Sequence, residues 1–190
     1  RALVESDSLD DTFNVVLETI KSYGIDRVSI SLLDWTPSGE VESVTIVASW
    51  DRESARILPV GSKISANMFS LVDTFAQPPF QPLISEDLSR ADGQDERMDE
   101  AFRLFMYEGL GVSTLFSTPL FLGTEYKGVL SISTRKPHTY TDQEARVYQT
   151  LADQTIIAIE NHRLFEAVRR ERDQAALLYE IGQTLSQATT

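Results

Sequence analysis

The chain has 190 residues, 42% hydrophobic and 24% charged, the size and composition of one soluble globular domain with an appendage. Its formal net charge of −12 disfavours non-specific nucleic-acid binding and attachment to anionic membranes, and no apolar run approaches the roughly 20 residues that span a bilayer. Cysteine is absent, which rules out disulfides, thiolate metal sites and a cysteine nucleophile.

The first residue is Arg1 and no signal-peptide pattern follows, so the expectation is a cytoplasmic piece of a longer protein. Ser8-Leu9-Asp10-Asp11 resembles a capping box with Asp in place of Glu or Gln. Leu9, Phe13, Val16, Leu17 and Ile20 then recur at helical spacing up to Tyr23-Gly24. Asp26–Asp34 alternates as a strand does, with Val28, Ile30 and Leu32 facing one way and Ser29, Ser31 and Leu33 the other. Beyond the Trp35–Gly39 turn, Val44, Ile46, Ala48 and Trp50 are expected to share one face of an antiparallel partner strand. Ile57–Ile64 reads as a third strand, irregular or at an edge because of Pro59 and Gly61.

Ala66–Phe75 has helical spacing and is stopped by Gln77-Pro78-Pro79. Pro82–Ser85 reads as a short strand and Ser89–Gln94 as a loop. Asp95–Glu108 reads as a helix with Met98, Phe102, Phe105 and Met106 on one side. Val112–Leu122 and Tyr126–Thr134 form a hairpin around Gly123-Thr124-Glu125, with Pro119 at an edge or a bulge. Thr141 or Asp142 caps the last helix, with Glu144 in its first turn. Only Gly182 weakens that helix before the chain ends, so a continuous run from about Asp142 to Leu185 would be roughly 65 Å long. Together these readings predict an α+β fold. A mainly antiparallel sheet of about six strands is covered by helices on both faces, the first and last helices on one and the two middle helices on the other, with a long C-terminal helix projecting beyond.

Four short runs stand in a telling order: Gly111-Val112-Ser113-Thr114, Thr118-Pro119-Leu120, Gly128-Val129-Leu130-Ser131-Ile132, and Tyr140-Thr141-Asp142-Gln143-Glu144. The last opens a helix that ends in Ile159-Glu160-Asn161. This succession resembles the C-terminal half of a GAF domain, and the match extends in pattern over most of residues 5–165. The resemblance implies a GAF/PAS-like sensor domain over residues 1–163, followed by a signalling or linker helix over 164–190. It implies a sensory or regulatory part of a bacterial-type signal transduction protein, with an output domain on the same polypeptide. Leu177–Leu185 is also similar to the first helix of a following GAF domain, as in a tandem pair. Without cysteine, neither covalent bilin attachment nor methionine-sulfoxide reductase chemistry is open to this member of such a family. Cyclic-nucleotide binders of the family carry an Asn-Lys…Phe…Asp-Glu signature. The corresponding places here read Arg135-Lys136, Tyr140 and Glu144-Ala145, and the missing Asn and final Glu argue against that ligand.

Catalysis finds no support. Two histidines, His138 and His162, lack metal-ligand spacing, so no metal is expected. There is no Gly-x-Ser-x-Gly elbow, P-loop or dinucleotide fingerprint. The basic cluster from Arg163 to Arg172 is interrupted by Glu166 and Glu171 and reads as a solvated helix face.

The better candidate is a cavity for an unidentified small molecule. Ser29, Ser31, Ser131 and Ser133 stand where a packed core usually has large apolar residues. Roofed by Phe69, Phe75, Phe102, Phe105 and Met106, with Thr114 and Phe116 contributing from the neighbouring strand, they would line an apolar room with a few polar handles. The alternative is that the aromatics collapse onto the serines and fill the space, leaving a ligand-free dimerisation and spacer domain. The sequence does not choose between the two. For either, a homodimer is expected through the C-terminal helix. Leu164, Val168, Ala175, Leu178 and Leu185 fall on alternating spacings of four and three, in a seam weakened by Glu171 and Gly182.

Overall fold

The computed structural model describes residues 9–53, 58–69, 71–78, 80–92 and 94–188. Six strands form one antiparallel sheet in the order β3-β2-β1-β6-β5-β4. In chain order they are β1 (Arg27–Trp35), β2 (Val41–Asp51), β3 (Lys63–Ser65), β4 (Leu83–Ser85), β5 (Thr114–Leu122) and β6 (Glu125–Thr134). The β5–β6 hairpin closes through Gly123 and Thr124, with Leu122 opposite Glu125 and Gly123 at φ 63°. At Gly128 the β1 backbone comes so close that a Cβ would lie 2.1 Å from the Ser31 carbonyl oxygen, so only glycine fits where β6 crosses β1.

The helices take the two faces as the hydrophobic pattern predicts. On one side α1 (Leu9–Lys21) and the first five turns of α4 (Asp142–Ala188) pack together over the sheet. Phe13, Val16 and Ile20 meet Tyr148, Leu151, Ala152, Ile156 and Ile159 there, above Val28, Ile30, Phe116, Leu120, Leu130 and Ile132. On the other side α2 (Leu71–Ala76) and α3 (Glu100–Leu104) bury Leu71, Val72, Phe75 and Phe102 against Leu33, Val44, Leu115, Tyr126 and Val129.

Four local expectations are corrected. The third strand is short and lies later than Ile57–Ile64. Pro59 cannot donate to a ladder and accepts instead from Ser62 N–H in a turn that places Gly61 at φ 88°, and Ile57 lies outside the described residues. Ala66–Phe75 is not one helix, because Phe69 is extended at φ −122°, ψ 80° and separates a 3-10 turn (Ala66–Met68) from α2. Asp95–Glu108 divides as well. Asp95 closes a turn by accepting from Arg97 N–H, and Asp99 then caps α3 by accepting from Phe102 N–H at 2.7 Å. From Phe105 to Gly109 the chain widens into a π-turn closed by Leu110 N–H to the Phe105 carbonyl at 3.0 Å.

The fourth correction concerns β2. Ser31 pairs with Ile46 while Ile30 pairs with Ala48, so Val47 is an extra residue bulged out of register. The bulge reverses the strand's phase. Val44 and Ile46 face the α2–α3 side, whereas Ala48 and Trp50 face α1 and α4.

The last helix is continuous through Gly182. Its 47 residues extend about 70 Å, and none of its described side chains is buried beyond Ile159.

Candidate functional site

The reversed phase of β2 completes a row of small hydroxyls across four strands. Ser49 on β2 lies opposite Ser29 on β1, Ser29 opposite Ser131 on β6, and Ser131 opposite Ser117 on β5, where the two hydroxyls are 2.9 Å apart. Ser31 donates to the Val129 carbonyl at 3.3 Å, and Ser133 flanks Arg27 in the β1–β6 register. Because these side chains are short, the sheet cannot reach the helices above it. A cavity of about 50 Å³ remains.

Of the residues expected at the site, Ser29, Ser31, Phe69, Phe102, Phe105, Met106, Ser131 and Ser133 line this cavity. Three others do not. Phe75 belongs to the adjoining core, edge-on to Tyr126 at 6.4 Å between ring centroids, because α2 sits over the far end of β6. Thr114 and Phe116 are even-phase residues of β5 and point to the opposite side of the sheet. There Thr114 shares its hydroxyl with Thr134 (2.7 Å) and Tyr140 (2.9 Å), and Phe116 packs on Tyr140 and Tyr148. Arg27, Ile46, Ser49, Leu58, Ile64 and Leu110 complete the wall and were missed by sequence reasoning. The bulge hid Ser49 and the turn before β3 hid Leu58. Arg27 opens a strand whose arginine reads as a solvent-facing end.

The roof is aromatic. Phe69 and Phe102 meet edge to face at 5.9 Å, and Phe105, held by the π-turn, is 44% exposed while still lining the cavity. At one end the Arg27 guanidinium is buried and paired. Its Nε and Nη2 each lie 2.9 Å from Asp51 Oδ2, and Arg135 Nη2 reaches both Asp51 oxygens at 2.6 and 2.7 Å. Burial alone would raise the Asp51 carboxyl, but Arg135, the Glu53 backbone N–H and Arg27 outweigh it and hold the group below its ordinary value. The cavity end is therefore a charge-paired ion cluster rather than a bare cation.

About 50 Å³ accommodates a few waters, while drug-sized ligands occupy about 300–1,000 Å³. The roof has collapsed most of the way onto the serines. A larger guest enters only if Phe69, Phe102 or Phe105 moves.

The places that correspond to the cyclic-nucleotide signature serve structure. Arg135 belongs to the Asp51 cluster and Tyr140 is buried under α4. Thr141 is the cap of α4. Its N–H donates to Glu144 Oε2 at 2.8 Å while Glu144 N–H donates back to its hydroxyl at 3.2 Å, a closed capping box that His138 Nε2 joins at 3.0 Å from Oε1. Among the described residues no group of three or more His, Asp or Glu side chains could hold a metal ion, and no helix is long and apolar enough to cross a membrane.

The expected seam lies on the projecting part of α4. Leu164, Val168 and Leu178 are 53%, 65% and 69% exposed, and the Leu185 side chain lies outside the described residues.

The family model described as GAF domain matches residues 8–159, about four-fifths of the chain. Among curated proteins none matches in sequence. Solved structures do match. The GAF domain of a two-component sensor histidine kinase from Bacillus halodurans is similar with a TM-score of 0.62 at 20% identity, covering 85% of this chain and 99% of its own. A phycocyanobilin-bound GAF domain from a cyanobacterial phytochrome gives 0.60 at 17% identity, covering 84% and 98%. The GAF domain/HD domain protein from Geobacter sulfurreducens gives 0.61 at 14% identity, covering 83% and 95%. At such identities the likeness is one of fold.

Proposed function

This chain belongs to the GAF domain family of sensory and regulatory modules, and from that premise we propose that it binds a small molecule between the serine row and the α3 roof and passes the bound state along α4 to an output domain of the same polypeptide. On this reading residues 1–163 are the sensor and 164–190 the signalling helix of a cytoplasmic, homodimeric, non-catalytic module. The observation that carries it is the cavity, where strands that fill the opposite face with large apolar side chains present mainly serine hydroxyls.

A route to α4 follows from the packing. A guest that lifts Phe102 and Phe105 displaces the π-turn, whose next residues lead through Val112 into β5. The reverse face of β5 carries Phe116 and Leu120, on which α4 rests. Transmission requires the guest to bind two arrangements of that helix with different affinity. A covalently held bilin does not fit this chain, which has no cysteine and a cavity far smaller than a tetrapyrrole.

The second reading, a ligand-free dimerising spacer, has the cavity's small volume in its favour. Native mass spectrometry of gently purified protein separates the two. A retained non-covalent adduct, lost in Ser131→Phe, is the expected result. A clean apo mass from every preparation, with no metabolite fraction raising the melting temperature, overturns the sensor reading.

A further inference from the structure

Past the domain body, α4 carries a periodicity that the core does not use. Ile157, Asn161, Leu164, Val168, Glu171, Ala175 and Leu178 alternate at spacings of four and three and are all exposed. Resting on the proposal that α4 dimerises, we infer that this stripe pairs in parallel and in register with a second copy of the chain, aligned by an Asn161 layer near its start and loosened at a Glu171–Arg172 layer.

The spacing assigns the positions. In a heptad, a to d is three residues and d to a is four. Asn161, Val168 and Ala175 therefore occupy a, and Ile157, Leu164, Glu171 and Leu178 occupy d. Leucine at d with a β-branched residue at a favours two strands, and one asparagine at a fixes register, because its amide is satisfied only by its own copy across the axis. Phe165 and Tyr179 fall at e and Ile181 at g, which widens the apolar strip on both sides. Leu177 falls at c, outside the strip.

Charge complementarity selects the occupant and its direction. Two copies of Glu171 at d would repel on the axis, yet Arg172 follows at e, the position that flanks a d side chain of the other helix. Each Glu171 can thus pair with the partner's Arg172, twice by symmetry. An antiparallel register that instead matched Asn161 with Glu171 would set Leu178 against Gln154 and run each helix end into the other domain body. Only the parallel arrangement gives both polar residues their partners while covering Leu178. The layer at Glu171, followed by small Ala175, is the place where the pair opens most easily.

The absence of native cysteine makes the test clean. In the full 190-residue chain, Asn161→Cys and Leu164→Cys are oxidised under mild conditions beside Arg163→Cys, which faces away at c. Disulfide dimer is expected to form at least about tenfold faster in the first two, since only facing positions bring the two Cα atoms within roughly 7 Å. Sedimentation should show Glu171→Leu tightening the dimer about tenfold and Arg172→Glu loosening it, each with unchanged circular dichroism. A dimer in which neither facing cysteine exceeds the Arg163→Cys control overturns the parallel register but leaves dimerisation standing. A chain monomeric at about 50 µM in wild type and Glu171→Leu alike overturns both. Unchanged affinity in Glu171→Leu refutes the charged layer.

Discussion

The two faces of the sheet share the same strands and differ in what those strands present. Towards α1 and α4, β1 and β6 offer Val28, Ile30, Leu130 and Ile132, and Phe116 stacks with Tyr140 and Tyr148 at 5.6 and 5.2 Å. Towards α3 the alternate residues are Ser29, Ser31, Ser131 and Ser133, and a cavity opens. Side-chain volume explains the difference. Close packing needs the two layers to interdigitate, and a row of serines leaves the aromatic roof nothing to grip. One face is close-packed along the strands, and the other packs around α2 while keeping a cavity beneath α3.

The largest effect expected from breaking this contrast is on the packed face. Val16 is 3% exposed, and Val16→Asp should cost about 4 kcal/mol or more, as burying an unpaired charge does. Denaturant titration measures it, and an unchanged midpoint would mean that α1 does not cover the sheet. On the serine face Ser131→Phe should cost only about 1–3 kcal/mol through overpacking, while closing the cavity. A protein that still takes up its guest would place the guest elsewhere.

Acid acts on the capping box that anchors α4. Burial alone would raise the Glu144 carboxyl, but the Thr141 N–H and hydroxyl and His138 hold it below its ordinary 4.5. The folded pKa lies below the unfolded one, so the stabilisation is complete above about pH 4.5 and is lost as pH falls through the depressed value. Glu144→Gln keeps the box in shape and should show a shallower loss of stability on acidification. It should cost about 1 kcal/mol at neutral pH.

Two small effects complete the contrast. The Tyr148 hydroxyl is buried among the described residues without a hydrogen bond, so Tyr148→Phe should be neutral or stabilising by up to about 1 kcal/mol. A clear destabilisation would reveal an unseen partner. Ser29→Ala, at the cavity floor, should change stability by about 0.5 kcal/mol or less, whereas its neighbour Ile30, fully buried on the packed face, should lose about 2–5 kcal/mol as alanine. Comparable losses at the two positions would mean that the serine face is packed after all.

Much of this was legible in the chain itself, because it depends on local periodicity. Alternation in β1 and β6 assigns Val28 and Ile30 to one face and Ser29 and Ser131 to the other without reference to any neighbour. Helical spacing likewise identifies Phe13, Val16 and Ile20 as the buried stripe of α1, and Thr141 with Glu144 announces the start of α4. What the tertiary structure decided were the places where a long-range contact overrides the local pattern. Pairing with β1 forces Val47 out of register, and only then does Ser49 join the serine row. The even phase of β5 turns Thr114 and Phe116 away from the cavity, since that strand's register is set by β6 and not by its own composition. Phe69 leaves helical geometry and meets Phe102 edge to face, and α3 begins only at the Asp99 cap. Volume was never in the sequence. Whether serines beneath phenylalanines leave a room or a filled core depends on how far the roof descends, and that distance is set by the α3 turn and the sheet together.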